Sequence, residues 1–563
     1  RSKWSIAMSK PWLNNYPEGV PAEISIDEYA SVADIFDQCV VKFADLPAYS
    51  NFGKTISYKE AKQYTSKLGA YLKNELALAK GTKVAVMMPN LLQTPIAIFS
   101  ILRAGMVVVN TNPLYTSREL KHQMCDSGAE AIIIVENFCH VLEEVIDQTP
   151  IKHVIVTRMG DMLPFPKSAI VNFVVKYVKK LVPAYNLPGA VPFKKALRLG
   201  LQHRFETVPT NHDDVAFLQY TGGTTGIAKG AMLTNQNMVA NMQQASAWIR
   251  PVFEEGEETI ITALPLYHIF SLTANCLVFM KLGALVYLIT NPRDMKNFVK
   301  ELKGVRFTAM TGVNTLFNGL LNTPGFKDID FSPLKLTLGG GMAVQRAVAE
   351  HWKNVTGVPL IEAYGLTETS PAACINPLDL SDFNGKIGLP ISSTDCSIQD
   401  DAWNELPIGE TGEICIRGPQ VMRGYWQRPR ETSEVLSSDG WLHTGDIGFM
   451  DEQGFVQIVD RKKDMILVSG FNVYPSEIED VIARHPGVLE VGVIGVPDEK
   501  SGEAVVAVVI KSDPSLTEEA LIEYCKQDLT AYKRPRHVFF ADQLPKTNVG
   551  KILRRELREK YVH

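Results

Sequence analysis

A chain of 563 residues is too long for one compact core, so two or more domains are expected. Hydrophobic residues make up 45% and charged residues 21%, ordinary globular proportions that exclude a disordered or fibrous chain. Lysine and arginine total 57 against 62 acidic residues, a net charge of -5, which excludes a broad basic face for nucleic acid.

The eight cysteines (Cys39, Cys125, Cys139, Cys276, Cys374, Cys396, Cys415, Cys525) are scattered without a C-x-x-C pair, which points to free thiols in a reducing compartment. No signal-peptide pattern precedes Met8, and residues 1–7 read as vector-derived, so a cytoplasmic location is expected.

In chain order, Val32, Ile35, Phe36, Cys39, Val40 and Phe43 recur at three- and four-residue spacing, which predicts a helix buried on one face. An α/β rhythm follows, with strands at 84–88, 106–109 and 131–135 and helices over 95–103 and about 117–126. Apolar strands separated by helices imply a mainly parallel sheet covered on both faces. Ile170 to Leu181 places Phe173, Val174, Tyr177, Val178 and Leu181 on one helical face, with Lys176, Lys179 and Lys180 on the polar side. Such a basic amphipathic helix can lie on an anionic membrane, although the pattern equally suits a surface helix packed on its own domain. Ala263 to Met280 is mostly apolar but holds Pro265, His268 and Asn275, which predicts a buried core helix and not a membrane span.

After about residue 385, short alternating segments such as Glu413–Arg417 and Gly454–Val459 suggest a β-rich subdomain. Beyond Asp460 a compact α+β module is expected: a helix from about Ser476, strands near 488–496 and 504–510, and a helix opened by Thr517-Glu518-Glu519. The acidic first turn of that last helix suits the positive end of its dipole. The predicted organisation is α/β, with a large N-terminal domain (8–459) of parallel-rich sheets covered by helices plus a β-rich subdomain. A small mobile α+β domain (460–563) completes the chain.

The most informative segment is Tyr220-Thr221-Gly222-Gly223-Thr224-Thr225-Gly226-Ile227-Ala228-Lys229-Gly230, directly after the predicted strand Val215–Gln219. Glycines let the backbone approach an anion closely, and the threonine hydroxyls and Lys229 can donate to phosphate oxygens. It is not a Walker loop, because Ala228 precedes the lysine and Gly230 follows it.

This string resembles the phosphate loop of the adenylate-forming superfamily, which includes acyl-CoA synthetases, peptide-synthetase adenylation domains and beetle luciferases. Four further hallmarks follow in the family's order: Gly339-Gly340-Gly341; Glu362-Ala363-Tyr364-Gly365-Leu366-Thr367-Glu368; Gly440 to Asp446 with Asp460-Arg461-Lys462-Lys463-Asp464; and Pro545 to Lys551. Asp439 to Lys463 resembles the signature of fatty acyl-CoA synthetases. Trp12-Leu13-Asn14, Asn90-Leu91-Leu92-Gln93 and Asn112-Pro113-Leu114-Tyr115-Thr116 are similar to bacterial long-chain enzymes.

The resemblance implies attack of a fatty-acid carboxylate on the ATP α-phosphorus, followed by displacement of AMP by the thiol of CoA. It implies that Thr221, Gly222, Gly223, Thr224, Thr225, Gly226 and Lys229 hold phosphates, and that Thr221 and Glu368 associate with Mg²⁺. Tyr364 would stack on adenine beside Gly341, Glu362, Ala363 and Thr367; Asp446 would accept from the ribose, and Arg461 would add a ribose or phosphate contact. Lys551 would bridge carboxylate and α-phosphate oxygens during adenylation, with Thr221 and Glu368 assisting. Asp460 would be the hinge of a domain rotation, and Gly470 and Phe471 would face the CoA channel. His268, Gly312 and Val313 lie in segments resembling the acyl tunnel, which serve equally well as core. Peripheral contact with the inner face of the cell membrane is a further expectation, and a homodimer is one assembly left open to the chain.

Three other functions stay open. An acyl-AMP ligase loading a carrier protein would not form thioesters with CoA. A luciferase-type monooxygenase would emit light with luciferin and oxygen. A non-catalytic fatty-acid binder would be expected to have lost Lys551 or Glu368, and both are present.

Overall fold

The computed structural model describes residues 9–221, 227–547 and 550–562. Two large sheets dominate the N-terminal part. The seven-stranded sheet runs Val191–Pro192, His153–Thr157, Ala131–Val135, Lys83–Met87, Val107–Thr111, Val215–Tyr220, Gly230–Thr234 from edge to edge. All its pairings are parallel except the last, an antiparallel hairpin that opposes Tyr220 to Gly230. In the nine-stranded sheet, six neighbouring strands from Pro47–Asn51 to Leu360–Gly365 pair in parallel, and both ends finish in antiparallel strands.

Residue alternation explains why the strands read as unbroken apolar runs. Val84 and Val86 enter the core shared with the nine-stranded sheet, whereas Ala85 and Met87 enter a second core on the other face. Helices Val32–Lys42, Gln93–Arg103 and Asn235–Ile249 contribute to the shared core, with Phe36 stacked on Phe99 at 4.5 Å. The helix Ser117–Ser127 covers the other face and opens with a reciprocal cap. Its Thr116 hydroxyl accepts from the Glu119 amide, and the Glu119 carboxylate accepts from the Thr116 amide.

The β-rich segment forms a four-stranded antiparallel sheet of Asp395–Gln399, Gly412–Arg417, Leu442–Met450 and Val456–Arg461. Past Arg461 the chain builds a separate sheet from Ile466–Val468, Phe471–Val473, Val488–Asp498, Gly502–Lys511 and His537–Phe540, with its own hydrophobic cores. The α/β class, the large N-terminal unit and the small C-terminal unit therefore agree with the sequence reading.

Two expectations need adjusting. The apolar stretch 263–280 is buried, but its helix begins only at Ile269, because residues 263–268 form a loop carrying Pro265 and His268. Among the described residues, no helix is long and apolar enough to cross a membrane. Ile170 to Leu181 is helical only as far as Val178, as Lys167–Phe173 followed by one π-turn over Val174–Val178. That helix packs inward through Ser168, Asn172 and Val175, whereas Ile170, Phe173, Tyr177, Val178 and the following Leu181 are each more than half exposed.

Candidate active site

Three parallel strands of the nine-stranded sheet end side by side, with Gly312 opposite Gly339 and Gly339 opposite Glu362. Val313 and Gly340–Gly341 lie in the loops after the first two, and Tyr364 near the end of the third strand, Leu360–Gly365, the place where open α/β sheets hold ligands. Gly341 has φ +77°, a backbone that a side chain would strain, and a Cβ there would stand 3.6 Å from Lys551 Cε. Glu362 is buried, and loss of solvent pushes its pKa up to about 8. Ala363 and Thr367 are half-buried beside it in sequence.

Tyr364 is buried, and its hydroxyl donates to Asp446 Oδ2 at 2.5 Å. The Asp446 amide donates to Thr444 Oγ1 at 3.1 Å, which orients the turn that presents the carboxylate. Burial raises the Asp446 pKa, while the Tyr364 hydroxyl and the charges of Arg461 and Lys551 oppose that rise. Arg461 is brought here by strand register, directly opposite Asp446.

Lys551 arrives from the other end of the chain. It sits in a hairpin closed by the pairing of Lys546 with Ile552 and by Thr547 N donating to Lys551 O at 2.7 Å. Gly550, at φ +84°, lies against Thr315, whose hydroxyl donates to Gly550 O at 2.7 Å. Burial and the nearby Arg461 bring the Lys551 pKa down to about 8, against the attraction of Asp446 and Glu368. Two more bonds join the units: Asn318 Nδ2 to Leu489 O at 2.9 Å, and Arg346 N to Asp480 Oδ1 at 3.1 Å.

On the phosphate-loop side, Thr221 N donates to Lys229 O at 2.9 Å, closing the neck of the loop. Gly222, Gly223, Thr224, Thr225 and Gly226 lie outside the described residues. Lys229 Nζ stands 4.7 Å from the centre of the Tyr425 ring, and the Tyr425 hydroxyl donates to Glu368 Oε2 at 2.8 Å. Glu368 follows in the short turn Thr367–Thr369, and its carbonyl accepts from Met422 N.

His268 is held neutral: burial and the Lys551 charge lower its pKa to about 3. Its Nδ1 accepts from Phe270 N at 3.3 Å, capping the helix that follows. Gly312 and Val313 are buried, the former against the Phe317 ring. Asp460 is buried, with Oδ2 accepting from Ser476 N at 2.9 Å. Gly470 and Phe471 are exposed on the small unit, Phe471 stacked on Tyr532 at 4.5 Å, and stand outside the Lys551 cluster. Sequence reasoning did not single out Tyr425, Thr444 or Arg554. Thr444 stands inside the Gly440–Asp446 string, two residues from its partner, whereas Tyr425 and Arg554 gain their meaning only through partners distant in the chain.

The family model for AMP-binding enzymes matches residues 36–426, and that for the AMP-binding enzyme C-terminal domain matches 477–551. A long-chain-fatty-acid–CoA ligase of Escherichia coli O6:H1 is 58% identical over 552 residues, covering 98% of both chains. The Haemophilus influenzae protein of that name is 54% identical over 557 residues, covering 99% of both. Among solved structures, ATP-bound MatB from Rhodopseudomonas palustris superimposes with a TM-score of 0.77 at 28% identity, covering 94% of this chain and 99% of that one. An anthranilate CoA ligase in complex with anthranoyl-AMP gives 0.83 at 24% identity, covering 96% and 99%, a likeness of fold. With both family models matched in order along the chain and near-complete overlap with relatives of this identity, the chain belongs to the AMP-binding enzyme family of the adenylate-forming superfamily.

Proposed function

We propose that the protein is a long-chain-fatty-acid–CoA ligase that adenylates a fatty acid with ATP and then transfers the acyl group to CoA, releasing pyrophosphate and AMP. The observation that carries this reading is the enclosure of Lys551 with Asp446, Glu368 and Gly341, within a chain 58% identical over nearly its full length to a ligase of that name. A carboxylate attacking a triphosphate brings negative charges together, so the first step needs positioning and neutralisation more than covalent help.

In this reading Lys551 binds the carboxylate and α-phosphate oxygens and offsets the charge that grows between them. Tyr364 stacks on adenine between Gly341 and the Glu362–Ala363 wall, and its bond to Asp446 aims that carboxylate at the ribose hydroxyls. Arg461 supplies a second donor beside it. Thr221 and Lys229, with the loop between them and Thr367, hold the phosphates. Glu368 Oε2 is engaged by Tyr425, and the oxygens of Glu368 and Thr221 are the hard donors Mg²⁺ prefers. Mg²⁺ bound there would neutralise phosphate charge. His268, neutral and beside Lys551, together with Gly312 and Val313, borders the acyl path.

The second half-reaction needs a different pose. The large unit extends over 8–459 and the small one over 460–563, with Asp460 as the hinge. The contacts Thr315–Gly550, Asn318–Leu489 and Arg346–Asp480 suit adenylation. Rotation would withdraw Lys551 and bring Gly470 and Phe471, exposed in this pose, to the CoA channel. The enzyme is cytoplasmic and works at the inner face of the membrane, docking through the exposed apolar residues of 165–181 and their lysines.

A pyrophosphate-release screen over acids from acetate to oleate, with and without CoA, tests the function. Release favouring long chains, with CoA consumed, supports it. Release without thioester formation would leave the carrier-protein ligase instead.

A further inference from the structure

Arg554, three residues after Lys551, gathers the polar side chains at the foot of the small unit. Its Nη1 donates to Asp460 Oδ1 at 3.2 Å and to Asp464 Oδ2 at 3.0 Å. Nη2 donates to Ser476 Oγ at 3.2 Å and to the Glu479 carboxylate. All three carboxylates are nearly buried, so one planar guanidinium serves as counter-charge to a group that water barely reaches. Arg558, at 3.7 Å from Asp464, is a second cation at the cluster.

These partners belong to two different mechanical parts. Asp464, Ser476 and Glu479 lie in the small unit with Arg554 itself. Asp460 is held by the strand Val456–Arg461, which pairs Asp460 with Ile447 and Arg461 with Asp446 in the four-stranded sheet of the large unit. On the other side, Arg554 opens the helix Arg554–Tyr561 at the root of the Lys551 hairpin, where Leu553 N donates to Pro545 O. Three residues span at most about 10 Å, so a shift of the guanidinium is handed almost directly to the lysine.

We infer that Arg554 is a positioning residue for adenylation: by bonding the hinge carboxylate Asp460 while rooting the Lys551 hairpin, it fixes the catalytic lysine against the large unit. This rests on the reading of Lys551 as the adenylation lysine and Asp460 as the hinge. Within the small unit its bonds to Asp464 and Glu479 persist through a rotation. The bond to Asp460 is the one that rotation about that residue can exchange.

The full-length enzyme is measured in two half-reactions, pyrophosphate release without CoA and acyl-CoA formation from synthetic acyl-adenylate. Arg554→Lys keeps the charge but loses the fork, and is expected to lower kcat for pyrophosphate release about tenfold or more, since small misplacements of a catalytic group are costly. The rate of the second half-reaction should change less than about threefold, because rotation withdraws Lys551 from the site before that step. Asp460→Asn removes the charge that Nη1 faces while leaving Arg554 its other carboxylates, and must likewise lower kcat for pyrophosphate release; undiminished release overturns the inference. It decides the matter if Arg554→Lys fails to fold. For Arg554→Lys, equal loss in both half-reactions, or no loss, overturns the inference. Lys551→Ala is the reference: retained pyrophosphate release there would instead overturn the assignment of the lysine.

Discussion

The Thr315 hydroxyl donates to the Gly550 carbonyl at 2.7 Å, joining the helix Asn314–Leu321 of the large unit to the backbone beside Lys551. Gly550 approaches so closely that a Cβ there would collide with Thr315. Thr315→Val keeps the shape and removes the donor. A hydrogen bond of this kind contributes about 0.5–1.5 kcal/mol, so adenylation should slow by roughly 2–10-fold. Transfer to CoA from supplied acyl-adenylate should be unaffected, and a rate equal to wild type in pyrophosphate release would count against this contact.

In the proposed role Lys551 works as an ammonium, and its pKa is brought down to about 8 by burial and by Arg461. Burial disfavours the charged form, so the charged fraction falls as pH rises through that value. For the free enzyme, kcat/KM for adenylation is expected to decline above about pH 8, since this parameter reports groups in the unliganded site. Lys551→Ala should lose acyl-adenylate formation while retaining transfer from synthetic acyl-adenylate. Equal loss of both would sink the assignment.

The Tyr364–Asp446 pair sets up a third test. Asp446→Asn replaces one acceptor oxygen with a donor where both Tyr364 and the proposed ribose hydroxyls point. Loss of a charge-assisted bond of about 1.5–3 kcal/mol should lower kcat/KM for ATP by roughly 10–100-fold. Tyr364→Phe keeps the ring and frees only the carboxylate's orientation, so its effect should be smaller. The reverse order of severity would contradict the roles given to the two residues.

Local signals carried far in this chain. The strand Ala131–Val135 was legible because its unbroken run of buried apolar side chains is written in adjacent residues, and the helix Ser117–Ser127 was expected over about 117–126. The glycine-rich strings were legible for the same reason: close approach leaves glycine as a mark. Tyr425 on Glu368 and Arg554 on Asp460 were not, because each bond joins residues whose separation in sequence carries no pattern. The helix start at Ile269 was hidden by uniform apolarity, which does not distinguish a buried loop from a buried helix.

The segment from Ile170 to Leu181 could be read either way in sequence, and the structure turns most of its apolar side outward, continuing to Phe165. Phe165, Ile170, Phe173, Tyr177, Val178 and Leu181 are exposed beside Lys167, Lys176, Lys179 and Lys180. Apolar groups that face water with a basic rim suit an anionic bilayer, where each lysine contributes about 1 kcal/mol. Reversing three lysines, with Lys176→Glu, Lys179→Glu and Lys180→Glu, therefore removes about 3 kcal/mol of attraction and adds repulsion. Flotation with anionic vesicles should be lost, and raised salt should weaken the wild type in the same assay. Adenylation of a dissolved medium-chain acid should be unchanged, because the substituted lysines are not among the residues gathered around Lys551. Undiminished flotation of the reversed variant would remove this surface from the account of how the enzyme meets its substrate.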